Sequence, residues 1–460
     1  MPPATARPAV HLPGMSIDPV GYERRLGLPS ATLLVVGGII GSGVFLNPAV
    51  VAQRVGTAPL TLLAWGLGAG IAILGAFIFA ELGARLPAVG GGYAYLREAF
   101  GPLPAFLYGW ALLLAIASGA IAAVAVTCAS YLALLVGLPA PLVRPLALLL
   151  IAGISVVNAM GIAPGVLLQN LFTVGKLAAI AMLVVVGLGA AAWEGTTLAV
   201  PTTVAPDCPI ATLRALATAL VPVLFAYGGW QQTNFVAEEM VDPRRDLPRA
   251  LVLGVSIVAV AYLSANLAYL RALGVDGLAA SRAPAAEAMG RAVGDLGRGL
   301  IAVGIAISTA GFLNVVILVT PRVYQAMARD GVFFRALARL HPRTRAPVAA
   351  IALQAVWSGA LVLSGGYGDL LDWVTFADWI FFGATAATLF VFRRRAATAT
   401  ALAPLHPWST GAFILAAGYV VAGAVLSNPA NALRGTLMLA AGVPAYAWWR
   451  WRAATGTQLE

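Results

Sequence analysis

The chain has 460 residues, of which 60% are hydrophobic and only 10% charged, and it carries a net charge of +10. A soluble domain of this length would lack the polar residues to cover its surface. A soluble enzyme is therefore excluded. A nucleic-acid-binding module is excluded too, because no basic face with base-contacting or stacking residues accompanies the charge.

A hydrocarbon core of about 30 Å takes roughly 20 apolar residues per helical span. Twelve such runs occur, at about 31–53, 60–83, 104–136, 143–161, 166–190, 212–235, 249–271, 298–328, 347–365, 370–392, 410–427 and 433–450. They are continuous rather than alternating, which argues against a β-barrel. The expected fold is an all-α integral membrane protein with twelve transmembrane helices. Residues 1–27, Pro-rich and without an apolar stretch, read as a disordered cytoplasmic tail and not a signal peptide. With both termini cytoplasmic, the inside loops collect most arginines, among them Arg244, Arg245, Arg393, Arg394 and Arg395. Cys128, Cys208 and the histidines His11, His341 and His406 show no metal or disulfide spacing, so no metal and no cofactor is expected.

In span 1, VVGGIIGSGVFLNP places Gly37, Gly38, Gly41 and Gly43 where lipid makes broken backbone costly. Freed backbone groups are tolerated at that depth only where they line a cavity or meet protein. In span 5, LQNLFTVGKLAAIAML carries Lys176, the only lysine of the chain. A charge at bilayer depth costs about 2.5–3.5 kcal/mol on insertion scales and faces protein or water. The alternatives are a lysine snorkelling to an interface, a fixed charge replacing a bound cation, and a proton-coupling amine. The residues alone do not separate them.

Span 6 is interrupted in its turn at Gly228 and Gly229, five spans after the first break. Breaks in corresponding places of two halves point to a transporter's central site. Spans 1–5 (28–192) and 6–10 (193–395) then form a 5+5 inverted repeat with discontinuous helices 1 and 6. Spans 11 and 12 (396–452) are appended, and 453–460 is a C-terminal tail. N–H groups opening a half-helix attract a carboxylate, and carbonyls closing the preceding half attract an ammonium. An α-amino acid carries both. The competing reading is that the glycines only permit close helix packing, which is the role assigned to GLGAG (Gly66–Gly70). A membrane-embedded enzyme finds little support, since no span contains a histidine and in-membrane carboxylates such as Asp378 and Asp372 are few. An ATP-driven pump would need a GxxxxGK[ST] loop, which the chain lacks. A sensor would carry an added soluble domain, for which neither tail offers the length.

Several ordered motifs resemble those of the amino acid–polyamine–organocation transporter superfamily, and within it the L-amino-acid transporter family, in its bacterial type. They are IIGSGVF (Ile39–Phe45), AELGARLPAVGGGYAYLREAFG (Ala80–Gly101), FTVGKLAA (Phe172–Ala179), FAYGGWQQTNFVAEEMVDPRRDLPRAL (Phe225–Leu251) and STAGFLNVVILVTPRVYQAMARDG (Ser308–Gly331). The resemblance implies alternating access around a site between helices 1, 3, 6, 8 and 10. It implies that Ser42 and Gly43 offer N–H groups to a substrate carboxylate. Carbonyls near Ile39 and Ile40, with Phe225 and Gly228, would receive the α-ammonium, and the Phe225 ring would close over the substrate. Lys176 matches a lysine standing where relatives bind sodium, with Ser308 or Thr309 as its neighbour.

Gln231, just past the second break, reads as a pocket-shaping residue or a packing amide. Asp378 and Trp379 correspond to pocket positions on helix 10; the aspartate lines the substrate path or answers a basic partner. Glu238 and Glu239 read as a salt-bridged cytoplasmic helix end. Animal members of the family hold an ancillary glycoprotein through a cysteine after helix 3, and LLVGLPAPLVRP has none here, so no covalent heavy-chain subunit is expected. The expected function is a secondary carrier in the cell membrane. Sodium-independent exchange of neutral L-amino acids leads, and a proton-coupled symporter or exporter, or a cationic amino acid or polyamine carrier, is the alternative.

Overall fold

The computed structural model describes residues 21–189, 209–364, 367–395, 401–427 and 429–455. The tail before residue 21, the loop with Cys208, the expected repeat boundary at 192, residues 456–460 and the side chain of Asp372 lie outside them.

The described residues are helical apart from connecting segments and one isolated bridge, Leu26 to Met240. In chain order the α-helices are α1 (Leu28–Ile39), α2 (Gly43–Val55), α3 (Ala58–Arg85), α4 (Gly92–Phe100), α5 (Pro102–Ala111), α6 (Ala117–Val136), α7 (Val143–Ala159), α8 (Ile162–Gly189) and α9 (Pro209–Ala226). There follow α10 (Pro243–Ala280), α11 (Pro284–Val319), α12 (Pro321–Arg329), α13 (Val348–Ser364), α14 (Tyr367–Arg395), α15 (Trp408–Ser427) and α16 (Pro429–Thr455). Each of the twelve apolar runs falls on one or two of these helices. Among the described residues, eight helices are long and apolar enough to cross a membrane, and α1 with α2, bent by 44° at their junction, makes a ninth. The run at 104–136 is one continuous span, Pro102–Val136, with a π-helical stretch at Leu112–Ile116 between α5 and α6. Such stretches recur at functional sites.

Packing inverts the order of a soluble protein. Leu149, Leu167 and Leu415 are about 70% exposed on the outside, where lipid accepts them. Asn158, Gln169, Thr173, Lys176, Asn266 and Asn314 are fully buried inside. The inner helices are α1, lying against α10 and α8, and α11, lying against α8 and α6. Within GLGAG only Gly68 is packed tightly: a Cβ there would stand 2.2 Å from Val223, whereas Gly66 and Gly70 meet nothing within 4 Å.

One end of the bundle is held by ion pairs. Glu239 and Arg322, 2% and 0% exposed, bond at 2.8 and 3.3 Å. Glu238 faces Arg329 at 3.7 Å and accepts from the Val89 N–H. The partners of these two glutamates thus come from α12, not from the nearby PRRD run. Tyr93 and Arg97 both bond Asp330. Glu81, fully buried, joins α3 to α14 through Arg393 and also accepts from the N–H groups of Leu402 and Ala403. Replacing one member of a buried pair strands the other, at about 3–5 kcal/mol. Arg322→Met is therefore expected to lower the melting temperature in detergent strongly, and adding Glu239→Leu to restore most of it. A single variant that melts like the parent would show that water reaches Glu239.

Candidate functional site

The first break forms because α1 ends at Ile39, Ile40 is extended (φ −73°, ψ 98°), and α2 starts again at Gly43. Ser42 makes no side-chain cap; the Phe45 N–H bonds the Ser42 carbonyl at 3.0 Å, and the N–H groups of Gly43 and Val44, which open α2, have no carbonyl a turn earlier in the helix to bond. The second break follows Ala226. Gly228 and Gly229 turn the chain, and a 3-10 helix continues over Trp230–Glu239. The segment is kinked at Val236 (φ −104°, ψ 19°), so the 3-10 geometry comes in short pieces, as its poorer hydrogen bonds favour.

The two breaks cross in contact. Gly229 has φ +107°, and a Cβ there would lie 2.1 Å from the Gly38 carbonyl oxygen; a Cβ on Gly38 would lie 2.9 Å from that of Gly229. Close packing and chain interruption are therefore two aspects of one crossing. One N-terminus (α2) and two C-termini (α1 and α9) converge there, with the Gly43 Cβ position 2.9 Å from Ala226. Donors for an anion and acceptors for a cation stand side by side.

The convergence opens into a cavity. Its wall includes Ile39, Gly41, Ser42 and Gly43 from the first break and Phe225, Gly228, Gly229 and Gln231 from the second. The π-helical stretch adds Leu112 and Ile116, α11 adds Phe312 and Val316, and α14 adds Asp378, Trp379 and Phe382. Of the expected substrate residues, only Ile40 is absent from that wall. Its carbonyl faces away, accepting from Lys176 Nζ at 2.6 Å and from Ser308 Oγ at 3.4 Å.

Lys176 is fully buried on α8, and its amine also donates to the Gly37 carbonyl at 3.0 Å. It forms no ion pair among the described residues; carbonyls freed where α1 ends hold it instead. Ser308 bonds the Gly41 carbonyl at 3.0 Å, so it borders the lysine's carbonyl set, while Thr309 turns back onto its own helix. Gln231 resolves as a cap, its Oε1 accepting from the Gly229 N–H at 3.1 Å. Asp378 is the only ionisable side chain on the cavity wall and has no ion pair among the described residues. Trp379 is both wall and packing, its ring edge-on to Phe382 at 5.3 Å.

Two residues of the site escaped sequence reasoning. Gln232 lines the cavity with its Oε1 unpartnered. Tyr262, fully buried on α10, places its hydroxyl 3.2 Å from both the Ile39 and the Ala226 carbonyls, the closing residues of the two half-helices. One proton serves two acceptors, so the hydroxyl ties the breaks together while leaving acceptor capacity for a ligand. A tyrosine in AYLSANLAYL carries no signal distinguishing it from core packing. Tyr262→Phe is expected to slow turnover about tenfold, the loss of a buried hydrogen bond, with less change in half-saturation. Unchanged turnover in the folded variant would refute the tie.

Residues 26–444 match the family model described as "Amino acid permease". The human "Large neutral amino acids transporter small subunit 2" is 30% identical over 438 residues, 93% of this chain and 80% of that protein. The mouse "Asc-type amino acid transporter 1" is 30% identical, with 93% and 81% covered. The human "b(0,+)-type amino acid transporter 1" is 32% identical, with 81% and 76% covered. With a charged centre between broken helices and a family model spanning nearly the whole chain, the protein belongs to the amino acid permease family and is a multi-pass membrane transporter of amino acids, not an enzyme.

Proposed function

We propose that the chain exchanges neutral L-amino acids across the cell membrane, independently of sodium, by alternating access. In this reading it crosses the membrane twelve times with both termini cytoplasmic. Residues 28–192 and 193–395 are inverted repeats, and 396–452 form two appended helices. The α2 N–H groups near Ser42 and Gly43 take the substrate carboxylate. Carbonyls about Ile39, Phe225 and Gly228 take the ammonium, and the Phe225 ring closes over it.

The observation that carries this reading is Lys176, whose amine occupies the Gly37 and Ile40 carbonyls with no carboxylate partner among the described residues. A fixed cation at those carbonyls removes the need for a bound metal cation. One relative's name calls it a small subunit; here the absence of a cysteine after α6 favours a chain working without a covalent partner. The test is uptake of radiolabelled amino acids into proteoliposomes with and without internal amino acid, sodium and a pH gradient. Uptake that requires internal amino acid and ignores both ions supports the reading. Uptake into empty vesicles driven by protons replaces it with coupled transport.

Asp378 favours a second reading, in which the cavity takes a cationic amino acid or a polyamine. A carboxylate with no counter-ion among the described residues, on a wall whose other side chains are uncharged, would pair with a second ammonium or a guanidinium. Asp378→Asn is then expected to cut uptake of arginine or putrescine by tenfold or more, the weight of about 1.5–3 kcal/mol for a charged hydrogen bond, while sparing leucine exchange. Equal effects on both substrates would remove this reading.

A further inference from the structure

A second concavity lies away from the crossing, between the segment preceding α1 and the start of α8. It is open along one side. Arg25 and Asn170 are its polar lining; Ile162, Val166 and Leu167 line the remainder. The amide of Asn170 is held by Ser30, to which Nδ2 donates at 3.0 Å, and its Oδ1 is buried without a partner among the described residues. Arg25 stands more than half exposed, its one ion pair among the described residues being with exposed Glu23 at 2.7 Å, a pairing worth little in water.

Further positive charge stands near the groove, beside Arg25 and at the turn before Ile162. Arg24 is exposed beside Arg25. Thr344, flanked by Arg343 and Arg345, bonds the Ala159 carbonyl at 3.2 Å and so brings its loop against the turn that leads into Ile162. From the groove, Leu167, Leu171 and Val174 continue up α8 at helical spacing, 71%, 67% and 57% exposed.

We propose that this groove is a binding site for an anionic phospholipid whose headgroup carries a hydroxyl. The phosphate pairs with Arg25, the hydroxyl donates to Asn170 Oδ1, and an acyl chain lies along Leu167, Leu171 and Val174. Basic clusters at the membrane surface attract anionic lipid by about 1 kcal/mol per arginine, and the exposed stripe supplies the apolar half. The site has a mechanical consequence. Its one wall is the segment whose Arg25 and Leu26 N–H groups bond the Glu239 carbonyl at the end of the second broken span. Its other wall is α8, which carries Lys176. A lipid seated there bridges the two elements, and this holds whatever the transported substrate proves to be.

The test is native mass spectrometry of the full chain taken from phosphatidylcholine bilayers containing phosphatidylglycerol, compared with Arg25→Gln, Val166→Trp and the distant control Arg434→Gln. The expected result is a retained phosphatidylglycerol adduct on the parent and the control, reduced about fivefold in Arg25→Gln and lost in Val166→Trp, which fills the groove. Arg25 is exposed, so its replacement leaves the fold intact. Equal retention in all four proteins would place the lipid elsewhere. No adduct on the parent would mean that the groove is filled by the chain itself or by bulk lipid, and either outcome overturns the proposal.

Discussion

Lys176→Met is expected to reduce amino acid uptake by about a hundredfold or more while leaving the protein in the membrane. The amine bonds the Gly37 and Ile40 carbonyls from a fully buried position. Methionine keeps the volume but leaves the Gly37 carbonyl without a donor and the Ile40 carbonyl with only the Ser308 hydroxyl at 3.4 Å, at about 1–3 kcal/mol for each lost bond. That sum falls on the end of α1, whose position defines the cavity, and about 1.4 kcal/mol is worth a decade in rate. Arginine is expected to fail as well. A Cβ on Gly311 would lie 3.0 Å from Lys176 Cε and 3.1 Å from Nζ, so α11 stands directly against the amine and leaves little room for a planar guanidinium. The informative variant is Lys176→Ala, which opens space beside the two carbonyls and the Ser308 hydroxyl. Recovery of uptake by sodium would identify the lysine as a cation substitute. Loss of proton dependence in the variant, where the parent has it, would instead make the amine the coupling group. Full activity of the methionine variant in every condition would remove Lys176 from the mechanism.

The parts of this molecule that show in the sequence are those that depend on neighbours along the chain. Hydropathy sums over about twenty residues, so each of the twelve apolar runs lies on helix in the structure. Glycines break a helix locally, so Gly41 and Gly228 mark where α1 and α9 end. The depth of Lys176 follows from its place in an apolar run, but the carbonyls that hold it do not, because Gly37 and Ile40 are more than a hundred residues away. For the same reason Ile40 reads as a substrate-side residue in the sequence, while in the structure its carbonyl is taken by the lysine. Tyr262 and Gln232 give no local signal at all. Glu238 and Glu239 show in the sequence as a salt-bridged helix end, but their partners, Arg322 and Arg329, lie on α12, more than eighty residues away. Even the reason for the glycines is half hidden: the sequence allows a break or a close contact, and only the crossing of Gly38 with Gly229 makes them the same event.

That crossing sets the second large expected effect. Gly229→Ala is expected to abolish correctly folded protein, or to yield protein without uptake, where Gly66→Ala is silent. Two independent costs add at Gly229. Its φ of +107° is one that a side chain disfavours by about 1–2 kcal/mol. Its Cβ would also stand 2.1 Å from a backbone carbonyl oxygen, that of Gly38, which no rotamer change relieves. The first broken span would have to withdraw from the second, and neither is free to do so. Gly38 sits one residue after the Gly37 carbonyl held by Lys176, and Gly229 donates its N–H to Gln231. Gly228→Ala separates the two costs: its φ is unstrained and its Cβ would meet the Phe225 carbonyl at 3.3 Å, so a modest loss of stability is expected with uptake retained. The measurements are fluorescence-detected size exclusion for folding, then uptake for each variant that survives. A Gly229→Ala protein that elutes and transports like the parent would mean that the two breaks do not touch in the membrane, and the cavity between them would have to be drawn again.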